Sequence, residues 1–196
     1  TGPTFCGGLD LREVPKYAPT EQKEFIRLCN RTAARLYRWP APVVGAINGH
    51  AMAAGFVLAL TPDYRVGIQS GARFGIPEIK AGIPFPAVPL TILQHELAPH
   101  VVRRLAFTCA DVVTEDALRS GIIDETVPDA ELEHRGIAVL RDLVALPGDT
   151  YVRVKHQVRA RAFNRIEDIL TTAGEPLLDA WLSAETGTAA SNVLKR

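Results

Sequence analysis

The residue best placed to do chemistry in this sequence is a glutamate among apolar neighbours. Glu78 follows Ile76 and Pro77 and precedes Ile79. A carboxyl group in such surroundings loses hydration, which raises its pKa toward neutrality and suits it to act as a general base. A structural role stays open, because Gly75 and Pro77 shape a turn whose N–H groups an acidic side chain could cap. We predict that Glu78 transfers protons.

A run of small residues upstream of Glu78 could stabilise a developing negative charge. Residues 43–47 suit a buried strand, Asn48 and Gly49 begin a tight turn that continues through the small residues 51–56, and residues 57–60 form the buried face of the helix that this turn opens. The first turn of a helix carries unpaired backbone N–H groups and partial positive charge, and small side chains let a ligand approach them. The N–H of Ala54 or a neighbour is therefore a candidate oxyanion donor. Spacing alone favours simple packing, because such units are common in α/β proteins.

Composition indicates an ordinary globular protein. The 196 residues suit one domain, or one domain with an appendage. The 22 basic and 22 acidic side chains cancel, which argues against a dominant surface for nucleic acid or acidic membranes. No apolar run approaches a membrane span. We therefore expect no nucleic-acid partner and no membrane partner.

Three cysteines indicate the compartment. Cys6, Cys29 and Cys109 are scattered, odd in number and without metal-ligand spacing. They form no disulfide framework, which favours a reducing, cytoplasmic environment. We expect all three to be small buried hydrophobic residues, and no metal site.

Periodicity and helix breakers predict strands in the first part of the chain and helices in the last third. Thr20 and Thr114 are predicted helix caps. In the helix over residues 150–163, four basic side chains are predicted to point outward: Arg153, Lys155, Arg159 and Arg161. The elements are a helix over residues 20–39, strands over 43–47, 63–68 and 72–76, helices over 89–98, 99–109 and 115–120, a strand over 122–127, and helices over 130–146, 150–163 and 166–196.

Four segments together resemble the crotonase, or enoyl-CoA hydratase/isomerase, superfamily. Residues 5–11 (FCGGLDL) and 47–55 (INGHAMAAG) resemble its two oxyanion-loop motifs. Residues 72–78 (ARFGIPE) resemble the motif that carries a catalytic acid, and residues 114–127 resemble a later helix-to-strand segment. The resemblance implies an α/β fold, a spiral of crossed β-sheets and helices with a helical C-terminal oligomerisation region. We divide the chain into a core, residues 1–128, and a helical region, residues 129–196.

The resemblance also implies a substrate and a site. Family members act on acyl-CoA thioesters, whose carbonyl oxygen lies between two backbone N–H groups, here those of Leu9 and Ala54. Gly7 and Leu11 fall where the family holds CoA, and Phe85 is a further substrate contact. The reaction needs no cofactor beyond the thioester. Trimers or pairs of trimers are usual, and an apolar C-terminal face fits this expectation: Leu177, Leu178, Trp181 and Leu182.

The sequence departs from the hydratase pattern at one of two glutamates. Val57 occupies the first position, and Glu78 alone remains. A single carboxylate that moves a proton from the α carbon to the γ carbon suffices for double-bond migration, which resembles the delta-3,delta-2-enoyl-CoA isomerase branch. Some members place an acid where Pro86 stands, in the proline-rich segment 82–89, so we expect an apolar acyl group. A hydratase or other lyase and a non-catalytic acyl-CoA-binding subunit remain alternatives.

Two further expectations concern the chain start and the histidines. The family's initial strands and helix are missing before residue 5, so we expect a longer parent protein or an incomplete beginning. We interpret His50 as a hydrogen-bonded packing residue. His95, Glu96 and His100 resemble a metal site only superficially, and we expect them on a solvated face.

Overall fold

A computed structural model of the chain describes residues 2–10, 12–13 and 16–173. Within these residues lie seven short strands: β1 (Thr4–Cys6), β2 (Val44–Ile47), β3 (His50–Met52), β4 (Tyr64–Ile68), β5 (Arg73–Gly75), β6 (Val112–Val113) and β7 (Glu125–Val127). The same residues form eight α-helices: α1 (Pro19–Tyr37), α2 (Ala54–Leu60), α3 (Ala87–Glu96), α4 (Pro99–Thr108), α5 (Thr114–Arg119), α6 (Leu132–Val144), α7 (Gly148–Val158) and α8 (Ala160–Asp168). A 3-10 turn, Asp129–Glu131, precedes α6, and a π-helical segment, Ile169–Ala173, follows α8.

The strands form two sheets. One has the order β1-β3-β5-β6, parallel except for the β5–β6 pair, and the other is the parallel set β2-β4-β7. The chain leaves the second sheet at Ile47 and enters the first at His50. Gly49 makes this step possible, because a Cβ there would lie 2.0 Å from the carbonyl oxygen of Pro3. The sheets therefore meet at the Asn-Gly turn, next to the start of α2.

The main core lies between the strands, helices α1 to α5 and helix α8. Its largest fully buried side chains include Tyr37, Phe56, Phe74, Leu93 and Leu105. Burial of side chains of this size contributes about 1.5–3 kcal/mol each. A smaller cluster joins α6 to the second sheet, with Val66, Leu132 and Val139 at its centre. Helix α6 thus packs onto the second sheet, whereas α8 packs on α3 and belongs to the main core.

The structure corrects several element boundaries. Strand β3 occupies residues predicted as a turn, and α1 begins at Pro19, with the Ala18 N–H donating to Glu21. Val113 takes the cap position of α5, and Thr114 is already helical, so both predicted threonine caps are wrong. The predicted helix over residues 150–163 is two helices, which meet at Arg159.

Two predictions cannot be compared with the fold. Leu11 and the predicted apolar face of Leu177, Leu178, Trp181 and Leu182 lie outside the described residues. The boundary at residue 128 stays a prediction.

In the part of the chain that the structure describes, no helix combines the length and the apolar character needed to cross a membrane.

Candidate active site

One cavity of about 380 Å³ brings the predicted site residues together. Five of the six residues predicted for catalysis or substrate binding line it: Gly7, Leu9, Ala54, Glu78 and Phe85. Helix α1 forms one wall, α2 another, and the segment from Pro77 to Pro89 a third. Apolar side chains make up most of the lining, as in pockets that hold small organic ligands.

Glu78 lies in the turn that follows β5. Its Oε2 atom is buried and has no hydrogen-bond partner among the described residues. Desolvation raises the pKa of this carboxyl to about 7, against a hydrogen bond from its own backbone N–H that lowers it. A carboxyl that titrates near neutrality suits general base catalysis at ordinary pH.

The turn before α2 borders the cavity through Ala53 and Ala54. Ala53 takes a φ of 52°, in the left-handed region that favours glycine. Its N–H donates to the carbonyl oxygen of Gly75 at 2.9 Å, which ties this turn to the strand that leads to Glu78. Ala54 is the first residue of α2, so its N–H has no acceptor within the helix. The geometry is compatible with an oxyanion donor at Ala54.

The loop of residues 7–9 packs directly on this turn. Gly8 has a φ of +100°, and a Cβ there would lie 3.0 Å from the Ala53 Cβ and 3.4 Å from the Ala54 nitrogen. Gly55 makes the matching approach from α2, since a Cβ at that position would lie 2.0 Å from the carbonyl oxygen of Cys6. Leu9 and Ala54 therefore belong to adjoining segments, although their pairing as two oxyanion donors stays a prediction.

Val57 lies on α2 and lines the cavity that also holds Glu78. Its side chain is buried, at 3% exposure, and cannot hold a proton or a water molecule. Among the described lining residues, Glu78 is the one carboxylate. This part of the cavity offers chemistry with one acid group.

Sequence reasoning missed the contribution of α1. Phe25, Leu28, Cys29 and Thr32 line the cavity from one face of this helix. The spacing of three and four residues could have indicated a shared face, but nothing in the sequence showed that the face covers a cavity. Burial raises the pKa of the Cys29 thiol to about 11, so it stays protonated.

The remaining polar candidates lie in structural positions. The His50 Nδ1 atom accepts the Arg73 N–H at 3.0 Å, which confirms the packing interpretation. Glu96 is not on a solvated face: it accepts the Tyr37 hydroxyl at 2.6 Å and lies 3.3 Å from Arg159. No cluster of metal-ligating side chains occurs among the described residues.

Comparison with known proteins identifies the family. The family model for enoyl-CoA hydratase/isomerase matches residues 1–178. The chain belongs to this family. The match confirms the crotonase resemblance stated from the four motifs, and the solved structures below confirm the fold class.

The relatives of this chain within the enoyl-CoA hydratase/isomerase family are named for different reactions. A short-chain-enoyl-CoA hydratase of Clostridium acetobutylicum is 29% identical over 142 residues, which are 72% of this chain and 54% of the relative. An enoyl-CoA isomerase/hydratase of Mycosarcoma maydis is 30% identical over 132 residues, 65% of this chain and 46% of the relative. The chain spans about half the length of the curated relatives it matches.

Solved structures of the family superpose on most of this chain. An enoyl-CoA hydratase from Mycobacterium ulcerans has a TM-score of 0.83 and 26% identity, covering 93% of this chain and 78% of its own. The human mitochondrial delta3-delta2-enoyl-CoA isomerase has a TM-score of 0.89 and 24% identity, covering 100% and 76%. At that identity the human enzyme shows the shared fold alone.

Proposed function

We propose that this protein is an enoyl-CoA isomerase that moves a double bond by a single-glutamate proton shuttle. The observation that carries the proposal is the pairing of Glu78 with Val57 in one apolar cavity. One carboxylate can carry a proton between two carbons, whereas addition of water in the two-glutamate pattern needs a second acid group. The conversion thus requires no residue beyond those that line the cavity.

The proposed reaction has two proton transfers. The Glu78 carboxylate takes a proton from the α carbon of a 3-enoyl thioester, and the electron pair moves into a dienolate. The thioester oxygen receives the negative charge and accepts hydrogen bonds from the N–H groups of Leu9 and Ala54. Glu78 then returns the proton at the γ carbon, which gives the 2-enoyl thioester. Fixed backbone N–H groups supply the charge stabilisation, so the reaction needs no metal or cofactor.

Supply of both 3-enoyl-CoA and 2-enoyl-CoA to the purified protein tests the proposal. We expect 2-enoyl-CoA from the first substrate and little 3-hydroxyacyl-CoA from either. Dominant hydration would instead favour the hydratase alternative, which the Clostridium relative supports by its name. Calorimetric binding without turnover of any enoyl-CoA would favour the non-catalytic subunit, and absence of binding at saturating ligand would refute the acyl-CoA proposal.

The assembly and compartment complete the proposal. We propose a homo-oligomer, a trimer or a pair of trimers, joined through the C-terminal region. Light scattering on the full-length protein tests this, and a monomer at micromolar concentration would contradict it. The three cysteines are unpaired in the structure, which supports a reducing, cytoplasmic location.

A further inference from the structure

The break between α7 and α8 places one arginine inside the protein. The Arg159 side chain is 7% exposed and lies over the Tyr37 ring, with its guanidinium carbon 4.1 Å from the ring centre. Nη1 donates to the carbonyl oxygens of Tyr37 at 3.0 Å and Thr61 at 3.4 Å, and Nη2 donates to that of Pro62 at 3.0 Å. The planar fork of a guanidinium suits several acceptors at once.

The acceptors are the ends of the three helices that line the cavity. Tyr37 is the last residue of α1, and Thr61 directly follows α2. Glu96 is the last residue of α3, and its Oε1 atom lies 3.3 Å from the Arg159 Nε atom. The same three helices supply Cys29, Val57 and Pro89 to the cavity wall.

A buried charge network surrounds Arg159. Asp63 lies 3.1 Å from Arg159 and 2.7 Å from Lys155. Lys155, at 6% exposure, also donates to the carbonyl oxygens of Trp39 and Ala41, just beyond α1. Arg65 lies 3.6 Å from Glu96 and 3.2 Å from Asp124. Three cations thus face three carboxylates, so the charges of the network balance, and Arg159 pairs with two of the carboxylates, Asp63 and Glu96.

We propose that Arg159 is a positioning residue. From the junction of α7 and α8 it fixes α1, α2 and α3 relative to one another and thereby sets the shape of the catalytic cavity. The inference rests on the proposed isomerase function for its kinetic part. The network lies at the C-terminal ends of the three helices, whereas Ala54 is the first residue of α2. Arg159 therefore acts on the cavity through the helices. A displacement of about 1 Å in a reacting group lowers a rate about a hundredfold.

Arg159→Lys tests the proposal. Lysine keeps the charge, but its ammonium group lacks the planar fork with which the guanidinium binds the ends of three helices at once. Arg38→Lys is the matched control, because Arg38, at the end of α1, pairs with Glu167 of α8 at 2.6 Å and stacks on Phe163 of the same helix. For each variant, isomerisation and α-deuteration of the substrate are measured together in D2O. The ratio of isomerisation to α-deuteration does not depend on the fraction of folded protein, because the same active site produces both. We expect Arg159→Lys to lower kcat about tenfold to a hundredfold and to change this ratio, and Arg38→Lys to preserve both.

A second measurement does not require turnover. Cys29 lines the cavity on α1, whereas Cys109 is buried at the end of α4 and is not among the residues that line the cavity. Alkylation followed by peptide mass spectrometry gives the rate at each thiol. In Arg159→Lys we expect Cys29 to react several-fold faster than in the wild type, with Cys109 unchanged. Equal acceleration at both thiols would indicate global loosening and would overturn the proposal.

Glu96→Gln provides an independent variant should Arg159→Lys not fold, because glutamine keeps the acceptor for the Tyr37 hydroxyl. We expect the same selective change at Cys29. If the wild type lacks isomerase activity and the variants still show a selective acceleration at Cys29, the proposed function is refuted and the positioning role is supported. Folded variants with wild-type deuteration ratio and wild-type Cys29 reactivity would refute the positioning role alone.

Discussion

Replacement of Glu78 by glutamine is expected to remove isomerase activity and to change how stability depends on pH. The carboxylate is the proposed base, and a positioned base contributes about a hundredfold to ten-thousandfold in rate. Glu78→Gln keeps the shape of the side chain but not the base. We expect kcat to fall by that factor while affinity for the CoA thioester stays within a small factor. In the wild type, kcat/KM should rise with pH through about 7, because the base must be ionised.

The stability effect follows from the same burial. Desolvation raises the pKa of Glu78 from 4.5 to about 7, so between these values the folded state binds more protons than the unfolded state. The free energy of unfolding of the wild type therefore falls as pH rises through this window and levels off above it. Since one pKa unit corresponds to about 1.36 kcal/mol, the full change is roughly 3 kcal/mol. Glutamine does not titrate, so Glu78→Gln lacks this decline.

Urea unfolding of both proteins at a series of pH values between 4.5 and 8 measures the difference. The amide adds a constant offset of about 1–3 kcal/mol if its buried N–H groups lack partners. The slope with pH is therefore the informative quantity, and we expect the variant to gain roughly 3 kcal/mol relative to the wild type across the window. A difference independent of pH would refute the desolvated carboxyl, and full isomerase activity in Glu78→Gln would refute the proton shuttle.

Three further substitutions test the cavity. Val57→Glu places a second carboxyl in the cavity that holds Glu78. We expect weak hydration of 2-enoyl-CoA, measured as more 3-hydroxyacyl-CoA than the wild type forms. Gly8→Ala adds a Cβ at a φ of +100° and against Ala53, so we expect kcat to fall about tenfold or more in steady-state assays. Ala53→Gly relieves a positive φ, and we expect urea unfolding to show about 1 kcal/mol of added stability. A less stable variant would contradict the strain at Ala53.

The predictable part of the site lay in short segments with local signals. Glu78 could be found because apolar neighbours indicated its desolvation, and Ala54 because small residues join a strand to a helix. The Gly8 contact with Ala53 was not predictable, since it joins residues 45 positions apart. Strand β3 was missed for a similar reason: its three residues are strand only through parallel pairing with Thr4 on one side and Phe74 on the other.

Buried charge was the largest error of the sequence reasoning. Lys155 and Arg159 were predicted to point outward because long basic side chains on a helix usually do. Both are buried, since Asp63 and the carbonyl oxygens at the end of α1 provide partners for them. Those partners lie about a hundred residues earlier in the chain, and no local pattern indicates them. Arg153 and Arg161 are exposed as predicted.

A site with one carboxylate places most of its requirements on the backbone. If Glu78 is the only acid group that handles protons, the negative charge on the thioester must be stabilised by N–H groups whose direction the main chain fixes. The positive φ of Gly8, the positive φ of Ala53 and the close approach of Gly55 to Cys6 shape the two segments that carry the proposed N–H donors. None of these residues carries a reactive side chain. In the proposed mechanism, the chemistry of this cavity thus depends as much on residues without reactive side chains as on the glutamate itself.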